Sequence, residues 1–416
     1  MILGPVSLLD CLVFLIFLVP RFILDVGFFR TASVALRCLP FVLLQMPVQL
    51  VRERYLTRRE KRSPFVARAS LFEDLVIRCV RFAFREVPAS VGRVFFSKWV
   101  ALPWMRWRML RHGYLVSPIG WREYAEEGPE GFKGVWITAD PSKPPDMVMY
   151  YVHGGGFALG STYFYLEFLL AWFTLLQESG YENPAIFALE YTLVPDKTYP
   201  TQVHETLRGY RHVISAVGDP GKIVVAGDSA GGTLVLTMLL ELGQLNDAWA
   251  RRQKLAKEAR DGSDGQARHW QSASETPLPG LAVLISPWTM LISDKHTNNN
   301  SDFLDVGQLH EYAMQYAGKE HIKTPTVSPG LTANHHLWAQ SSPQCGFFVT
   351  YGSEELFAPD VEEFIRVAVK GAEVDSRREE GGIHAWPVVS MFLASSSEKR
   401  FRGLRTLTGA IRKHIY

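Results

Sequence analysis

A serine flanked by small residues lies where an apolar run meets a helical run. Residues 224–232 have the sequence VVAGDSAGG, which places Ser229 at the centre of the pattern G-x-S-x-G. The glycines of this pattern allow a tight turn between a strand and a helix, and the turn holds the serine hydroxyl at the carboxyl end of the strand. The positive end of the following helix dipole lies near that hydroxyl. We therefore predict that Ser229 is a nucleophile and that the neighbouring Asp228 has a structural role.

A second glycine-rich segment follows another apolar run, and it reads HGGGF from His153 to Phe157. Its three consecutive glycines, Gly154 to Gly156, leave backbone N–H groups free to point into a cavity, as the stabilisation of an oxyanion requires. A plain glycine turn is one alternative. A phosphate-binding loop is another, but the segment has neither a GK[ST] ending nor a GxGxxG spacing. We expect His153 to hold the loop in shape.

Together, HGGGF at 153–157 and GDSAGG at 227–232 resemble the hormone-sensitive lipase family of serine esterases. The segments YTLVP at 191–195 and ISPW at 285–288 resemble further motifs of that family. The resemblance covers about two thirds of the chain, from Met147 to the C-terminus. Within the family, an apolar N-terminus is typical of the membrane-anchored arylacetamide deacetylases and fungal steryl acetyl hydrolases.

This resemblance implies an α/β-hydrolase fold with a helical cap and an N-terminal membrane anchor. It also implies that the oxyanion donors are the backbone N–H groups of Gly155, Gly156 and Ala230. The remaining members of the triad would follow Ser229 along the chain in the order acid, then histidine.

The histidine and the acid are also identified by the family's motifs. His384 lies in a glycine-rich segment near the C-terminus and is followed two residues later by Trp386, as in the family's histidine motif. The acid motif, G-x-x-D-x-L-x-D, places Glu355 at the catalytic acid when it is aligned from its first glycine. Glutamate replaces aspartate here, and the fold accepts it because the acid orients the imidazole and stabilises its cation. Glu354 is the alternative acid, and we expect Asp360 to be structural.

The elements that must hold these residues alternate between strands and helices. Beyond Gly113, short apolar runs alternate with longer helical stretches, which predicts a mostly parallel sheet with helices on both faces. Six strands are predicted, at Gly134–Thr138, Met147–His153, Ala185–Glu190, Lys222–Gly227, Leu281–Ser286 and Gly346–Gly352. The composition of the 416 residues, 47% hydrophobic and 21% charged, excludes a disordered or low-complexity chain.

We expect three parts along the chain. Residues 1–62 would form an N-terminal membrane anchor with a basic juxtamembrane segment. Residues 63–112 predict amphipathic helices that cap a pocket, lie on a membrane or pack on the core, and residues 113–416 predict the catalytic α/β domain. Within that domain, the polar segment 251–280 predicts a surface insertion. No metal or cofactor site is predicted, because the closest cluster, His335-His336, lacks Cys or Glu partners.

The N-terminal quarter of the chain is both basic and apolar. Residues 1–112 contain 18 Lys and Arg against 7 Asp and Glu. The run Ile2–Pro20 is long enough for a marginal membrane span, and it lacks the basic start and the small-residue cleavage site of a signal peptide. We therefore predict an uncleaved single-pass anchor. A cleaved signal and a buried or interfacial helix are the alternatives.

A second apolar stretch, Leu39–Val51, is interrupted by two prolines and two glutamines and predicts an interfacial segment. The six Lys and Arg between Arg52 and Arg62 suit anionic lipid headgroups, although a solvated linker has the same composition. Nucleic acid binding is not expected, because no reader motif accompanies the charge. The predicted location is the endoplasmic reticulum membrane. The side of the catalytic part stays open, since loop charge favours the cytosol and Asn299 begins a glycosylation sequon.

These features predict an ester hydrolase that acts on a lipophilic substrate. An apolar anchor, an aromatic N-terminal cover and a net charge of +2 suit a substrate that approaches from a bilayer. The resemblance implies removal of a short acyl group, expected to be acetyl, from a sterol, terpenoid or other lipophilic alcohol. A neutral-lipid lipase, an acyltransferase on the same triad and a non-catalytic receptor for a hydrophobic ligand are the alternatives. The sequence does not indicate an oligomeric state.

Overall fold

One eight-stranded sheet organises the chain. The computed structural model describes residues 1–128, 130–261, 276–368 and 370–415. The strands are β1 Gly120–Ala125, β2 Lys133–Thr138, β3 Val148–Val152, β4 Ala185–Glu190, β5 Ile223–Asp228, β6 Leu281–Ile285, β7 Phe347–Gly352 and β8 Val374–Glu379. Their order is β1-β2-β4-β3-β5-β6-β7-β8. The pairs β1–β2 and β2–β4 are antiparallel and every other pair is parallel, which confirms the predicted mostly parallel sheet.

The sheet is most buried at its centre. Every residue of β3, β5, β6 and β7 is buried, and strands covered on both faces have continuous apolar sequences. This is why the sequence predicts these strands well. The edge strands β1 and β8 have the polar sequences GWREYA and VDSRRE, and the sequence does not predict them. Charged side chains are common on edge strands because one side faces water.

Helices cover both faces of the sheet. They are α1 Leu8–Val26, α2 Phe28–Pro40, α3 Met46–Val51, α4 Pro64–Arg68, α5 Leu71–Glu86, α6 Ala89–Phe96, α7 Lys98–Arg111, α8 Thr162–Glu178, α9 Thr201–Val217, α10 Ala230–Asp261, α11 Val306–His321, α12 His335–Ser341, α13 Ala358–Glu363, α14 Trp386–Leu393 and α15 Ser397–His414. One core layer contains α9, α10, α11 and α12. The other contains α7, α8, α14 and α15. Because α10 continues to Asp261, the insertion predicted at 251–280 begins inside a helix, and its residues 262–275 lie outside the described residues.

The N-terminal segment differs from its prediction. Ile2–Pro20 was expected to span a membrane, but Met1 and Leu3 are buried in the core and α1 packs on α6 and α7. The buried Asp10 of α1 accepts hydrogen bonds from Arg108, at 3.1 Å, and from Trp107, at 3.2 Å. Among the described residues, the helix that is long and apolar enough to cross a membrane is Phe28–Leu56, which combines α2, α3 and two wider turns. It contains the stretch predicted to be interfacial.

Candidate active site

Ser229 occupies a sharp turn between β5 and α10. Strand β5 ends at Asp228 and α10 begins at Ala230, so Ser229 alone makes the turn, with a left-handed φ of +51°. This conformation is uncommon for a residue with a side chain and is found at strained functional turns. A Cβ on Gly231 would lie 2.0 Å from the carbonyl oxygen of Val152. Only glycine therefore lets α10 approach β3 closely enough to form this turn.

The glycine loop after β3 lies directly against this turn. Gly155 and Gly156 have φ values of +118° and +62°, which favour glycine. Within the part of the chain that the structure describes, the N–H groups of Gly155, Gly156 and Ala230 form no hydrogen bonds. The loop and the start of α10 thus provide three unpaired backbone donors. Unpaired donors of this kind are what an oxyanion hole requires.

Asp228 connects the glycine loop to the serine turn. Its Oδ1 accepts from the Gly154 N–H at 2.9 Å and the Tyr151 hydroxyl at 2.6 Å, and its Oδ2 accepts from the Tyr165 hydroxyl at 2.7 Å. Burial raises the pKa of Asp228 to about 6, and these hydrogen bonds oppose the rise. All of its acceptor contacts go to the scaffold, which supports the structural role predicted for it.

His153 is also engaged by the scaffold. Its Nδ1 lies 2.7 Å from the Gly154 carbonyl oxygen, and its ring stacks on Tyr191 at 4.4 Å. Burial lowers the pKa of His153 to about 4, so the ring is neutral at pH 7. A neutral ring can donate through Nδ1 to that carbonyl and hold the loop in shape.

His384 lies in the loop between β8 and α14. Its ring is buried next to Phe303, at 5.8 Å, and Phe357, at 5.0 Å, and its backbone N–H donates to Asp302 Oδ1 at 3.2 Å. Burial lowers the pKa of His384 to about 3. The imidazole is therefore neutral at pH 7, as a general base must be.

Glu355 follows β7 and is also buried. Its Oε2 accepts from the Ser286 hydroxyl at 2.5 Å and from the Gly352 N–H at 3.0 Å. Burial raises the pKa of Glu355 well above its ordinary value, and the Ser286 hydrogen bond opposes the rise. Glu354, the alternative acid, is half-buried and accepts from the Ser301 hydroxyl at 3.0 Å. Of the two glutamates, only Glu355 has a buried and unpaired carboxylate oxygen, Oε1.

The acid and the histidine each retain one buried polar atom without a partner. These atoms are Glu355 Oε1 and His384 Nδ1, an acceptor and a donor. A buried polar group left unpaired costs about 1–3 kcal/mol. A hydrogen bond from Nδ1–H to Oε1 would satisfy both groups and is the one that a Ser-His-acid triad uses. No hydrogen bond joins Ser229, His384 and Glu355 in the described chain.

Two residues that the sequence did not single out for the site connect the acid loop to the histidine loop. The Ser286 hydroxyl donates to Glu355 and accepts from the Ala385 N–H at 3.0 Å. The buried Asp302 accepts from the N–H groups of Leu356, at 2.8 Å, and His384. Ser286 directly follows β6, so the rule that sites form at the carboxyl ends of parallel strands could have identified it. Asp302 lies in an irregular loop, and no local pattern identifies it.

Asp360 lies outside this network. Its carboxylate accepts from the Ser293 hydroxyl at 2.9 Å and lies 3.0 Å from His296 Nε2. Both partners precede Asp302 in the same irregular loop, so Asp360 fastens that loop to α13. These contacts support the structural role expected for it. Among the described residues, no group of three His, Cys, Asp or Glu side chains could hold a metal ion.

Comparisons with known proteins agree with this geometry. Residues 149–388 match a family model described as alpha/beta hydrolase fold. An acetyl-hydrolase of Streptomyces hygroscopicus is 27% identical over 60% of this chain and 71% of its own length. Steryl acetyl hydrolase 1 of Saccharomyces cerevisiae is 24% identical over 55% of this chain and 48% of its own length. Neutral cholesterol ester hydrolase 1 of Pongo abelii is 29% identical over 40% of each chain.

A solved structure shows the same fold. The crystal structure of an esterase from the bacterial hormone-sensitive lipase family has a TM-score of 0.60 and 21% sequence identity, over 83% of this chain and 99% of its own. The chain spans about half the length of the yeast relative and 40% of the length of the primate relative. The resemblance predicted from the two glycine motifs is confirmed.

Proposed function

The chain belongs to the α/β hydrolase family and is an esterase, and on that premise we propose that Ser229, His384 and Glu355 form its catalytic triad. The observation that carries this proposal is the left-handed turn at Ser229, which lies beside three unpaired backbone N–H donors. Such a turn exposes a serine to a carbonyl substrate, and the donors can receive the negative charge that forms on its oxygen.

The proposed reaction proceeds through an acyl-enzyme. His384 accepts the proton of the Ser229 hydroxyl while Oγ bonds to the carbonyl carbon of the ester. The oxygen of the tetrahedral intermediate accepts hydrogen bonds from the N–H groups of Gly155, Gly156 and Ala230. His384 then protonates the leaving alcohol. Water, deprotonated by the same imidazole, attacks the acyl-enzyme and releases the acid.

Glu355 would make the charged form of His384 accessible. Burial disfavours the carboxylate of Glu355 and the imidazolium of His384 when each is alone, as their pKa shifts indicate. A direct Nδ1–H···Oε1 hydrogen bond stabilises both charged forms together. We propose that this bond forms in the complex with substrate, since catalytic hydrogen bonds are often longer in the free enzyme.

We propose a short acyl group, with acetyl as the first candidate, on a bulky lipophilic alcohol such as a sterol or terpenoid. Large aromatic rings pack beside the oxyanion loop: Phe157 stacks on Tyr316 at 3.9 Å, and Trp288 stacks on Phe357 at 5.5 Å. We infer that rings in these positions would limit the length of an acyl chain that lies beside the loop. Relatives named acetyl-hydrolase and steryl acetyl hydrolase support the same choice. A lipase for neutral lipids is the second candidate, because another relative is named neutral cholesterol ester hydrolase.

Two chromogenic esters separate these candidates. We would measure hydrolysis of p-nitrophenyl acetate and p-nitrophenyl palmitate by the wild type and by Ser229→Ala. A faster turnover of the acetate that is lost in Ser229→Ala would support a short-acyl esterase, and a faster turnover of the palmitate would support the lipase. Ser215→Ala is the control, because the hydroxyl of this exposed serine on α9 donates, within the described chain, only to the His212 carbonyl. Equal rates for the wild type and Ser229→Ala would contradict the proposed nucleophile.

We also propose that the enzyme works at a membrane, with the endoplasmic reticulum as the compartment. The apolar helix Phe28–Leu56 supports membrane attachment. Co-fractionation of the full chain with microsomal markers would support this location. Recovery in the soluble fraction would contradict it.

A further inference from the structure

Two N-terminal helices expose many apolar side chains on their outer sides, and these side chains are here called the apolar platform. On α1 the exposed apolar residues include Leu8, Leu12, Ile16, Val19 and Ile23, which recur every three or four positions and so lie on one face. On the helix Phe28–Leu56 the exposed apolar residues include Phe29, Leu36, Leu43, Leu44, Val48 and Val51. The two helices are in contact with each other. Large exposed apolar surfaces of this kind mark sites of interaction.

The inner side of the long helix contacts the body near its start, at its middle and near its end. Near its start, the Arg30 guanidinium donates to the Ser90 hydroxyl of α6 at 3.1 Å. At its middle, the buried Phe41 stacks on Phe82 of α5 at 4.0 Å. Near its end, Glu53 pairs with the buried Arg78 of α5 at 2.8 Å. The helix is therefore held to α6 at Arg30 and to α5 at Phe41 and Glu53.

The segments on both sides of the long helix return to the same body. Before it, the Leu3 carbonyl accepts a hydrogen bond from the buried Arg400 of α15 at 2.5 Å, and Leu18 is buried against α6 and α7. After it, Val66 and Ala69 are buried. A helix that crossed the bilayer once would separate these segments. Crossing would also carry the charged side chains of α5, such as Arg78, into the hydrocarbon, where they are strongly disfavoured.

We propose that the apolar platform lies in the plane of one anionic lipid leaflet and does not span the bilayer. The length and composition of the helix Phe28–Leu56 would allow it to span a bilayer, since 29 residues of helix measure about 43 Å. Its contacts instead match an interfacial amphipathic helix, with one side on the protein and the other in the acyl region. This inference concerns the mode of attachment and does not rest on the proposed chemistry.

The charges around the platform indicate which partner covers it. Arg52, Arg58, Arg59 and Lys61 are exposed at the end of the long helix, and in the described residues none of them forms an ion pair. Arg37 is exposed part of the way along it. A basic margin attracts anionic headgroups, and it would repel a second copy of the same chain. Anionic lipid is thus favoured over a second copy of the chain as the partner that covers the apolar platform.

Vesicle flotation tests the partner. The full chain would be mixed with vesicles of phosphatidylcholine alone, or with about 30% phosphatidylserine added. We expect flotation with the anionic vesicles, and a loss of about 10-fold or more in the bound fraction for the double variant Leu36→Glu, Leu43→Glu. Leu245→Glu, at an exposed leucine of α10, is the matched control and should float like the wild type. Turnover of soluble p-nitrophenyl acetate should be equal in all three proteins, which shows that they are folded.

Two results of that experiment would overturn the proposed partner. One is flotation that is independent of Leu36 and Leu43. The other is a soluble dimer of the wild type that the double variant converts to a monomer, which would assign the platform to a second copy.

Spin-label depths test the orientation. Nitroxides would be attached singly at Phe29→Cys, Leu43→Cys and Val51→Cys, in a background in which Cys11, Cys38, Cys79 and Cys345 are replaced by serine. An in-plane helix places all three labels at a similar shallow depth, about 5–10 Å into the leaflet. A spanning helix places the central label about 10 Å or more deeper than the outer two, because the hydrocarbon core is about 30 Å thick. That second pattern would overturn the proposal.

Discussion

The two halves of the candidate site are each held together by a buried aspartate, but the partners of the two aspartates differ. In the nucleophile half, Asp228 accepts from two tyrosine hydroxyls and one backbone N–H, all on β3, the glycine loop that follows it and α8. In the acid–histidine half, the Asp302 carboxylate accepts, among the described residues, only from backbone N–H groups, on its own loop and on the loops of Glu355 and His384. Burial raises the pKa of both aspartates to about 6.

This difference indicates which half is free to rearrange. The serine turn is fixed by a strand, a helix and the glycine loop, and its geometry is already complete. The acid and histidine lie on loops that are held mainly by each other, by Ser286 and by Asp302. It is in this second half that the unpaired atoms, Glu355 Oε1 and His384 Nδ1, remain. We therefore expect the final hydrogen bond of the triad to depend on loop contacts, and the following variants test that dependence.

The largest effect is expected from the acid itself. Glu355→Gln should lower kcat by about 10³–10⁴-fold, because an amide cannot stabilise the imidazolium of His384. Glu354→Gln is the matched control and should keep kcat within about 2-fold, because the Glu354 side chain is directed to Ser301. Steady-state hydrolysis of p-nitrophenyl acetate measures both. If the larger loss followed Glu354→Gln, then Glu354 would be the acid.

The next effect concerns the glycine loop of the nucleophile half. A Cβ on Gly155 would lie 2.2 Å from the Leu159 carbonyl oxygen, so Gly155→Ala must displace the loop. We expect kcat to fall by about 10²–10³-fold, as for the loss of an oxyanion donor. Gly128→Ala is a close control, because Gly128 has nearly the same φ, +119° against +118°, and no described residue has an atom within 4 Å of its Cβ position. Its kcat should not change, and a similar fall in both variants would show that backbone strain, not the oxyanion loop, is responsible.

Replacing each of the two aspartates by asparagine should lower kcat less than Gly155→Ala does. In Asp302→Asn the new amide N–H₂ would face a backbone N–H, which cannot become an acceptor, so we expect kcat to fall by about 10–100-fold. In Asp228→Asn the amide can donate to the Tyr165 hydroxyl, which can turn and accept. We expect a loss of less than about 10-fold there.

The kinetic constants and the pH profile distinguish positioning from simple destabilisation. If Asp302 positions the triad, Asp302→Asn should lower kcat with little change in KM. The Asp302 carboxylate is a neighbouring negative charge that raises the pKa of Glu355. Its removal should lower that pKa, so the acid limb of the pH–activity profile of Asp302→Asn should move to lower pH. Equal losses in both aspartate variants, with unchanged pH profiles, would show that the two halves are equally rigid.

The sequence predicts the nucleophile half better because its information is local. Ser229, Asp228 and the three glycines lie in two short motifs, each next to a fully buried strand. Glu355 and His384 required the family resemblance in addition to their positions. Asp302 could not be predicted, since its partners are brought together only by tertiary packing.

The N-terminal segment shows a second limit of the sequence. Its first apolar run, Ile2–Pro20, has a composition that suits either a membrane or the protein interior. The carboxylate of Asp10 within that run indicates the protein interior. A buried carboxylate needs partners, and here Arg108 and Trp107 provide them. The sequence did not predict the long helix Phe28–Leu56, because Pro40 and Pro47 interrupt its apolar pattern. It continues past Pro40 in a wider turn, Phe41–Gln45, which accommodates the missing N–H.

The smallest effect expected is a shift in the pH profile of Ser286→Ala. The proposed triad requires Glu355 as a carboxylate. Burial raises the pKa of Glu355, and the hydrogen bond from the Ser286 hydroxyl opposes that rise. Removing the hydroxyl should raise this pKa further, so the acid limb of kcat/KM should move to higher pH by about 1 unit, with most activity recovered at alkaline pH.

Ser293→Ala provides the control, because its hydroxyl makes a similar bond to a carboxylate, Asp360, outside the triad. Its pH profile should match that of the wild type. Ser286 also accepts from the Ala385 N–H, so it could act only by holding the histidine loop. In that case kcat would fall equally at every pH and the acid limb would not move. A moved limb would therefore show that the acid–histidine half is tuned through Glu355 and is not merely positioned.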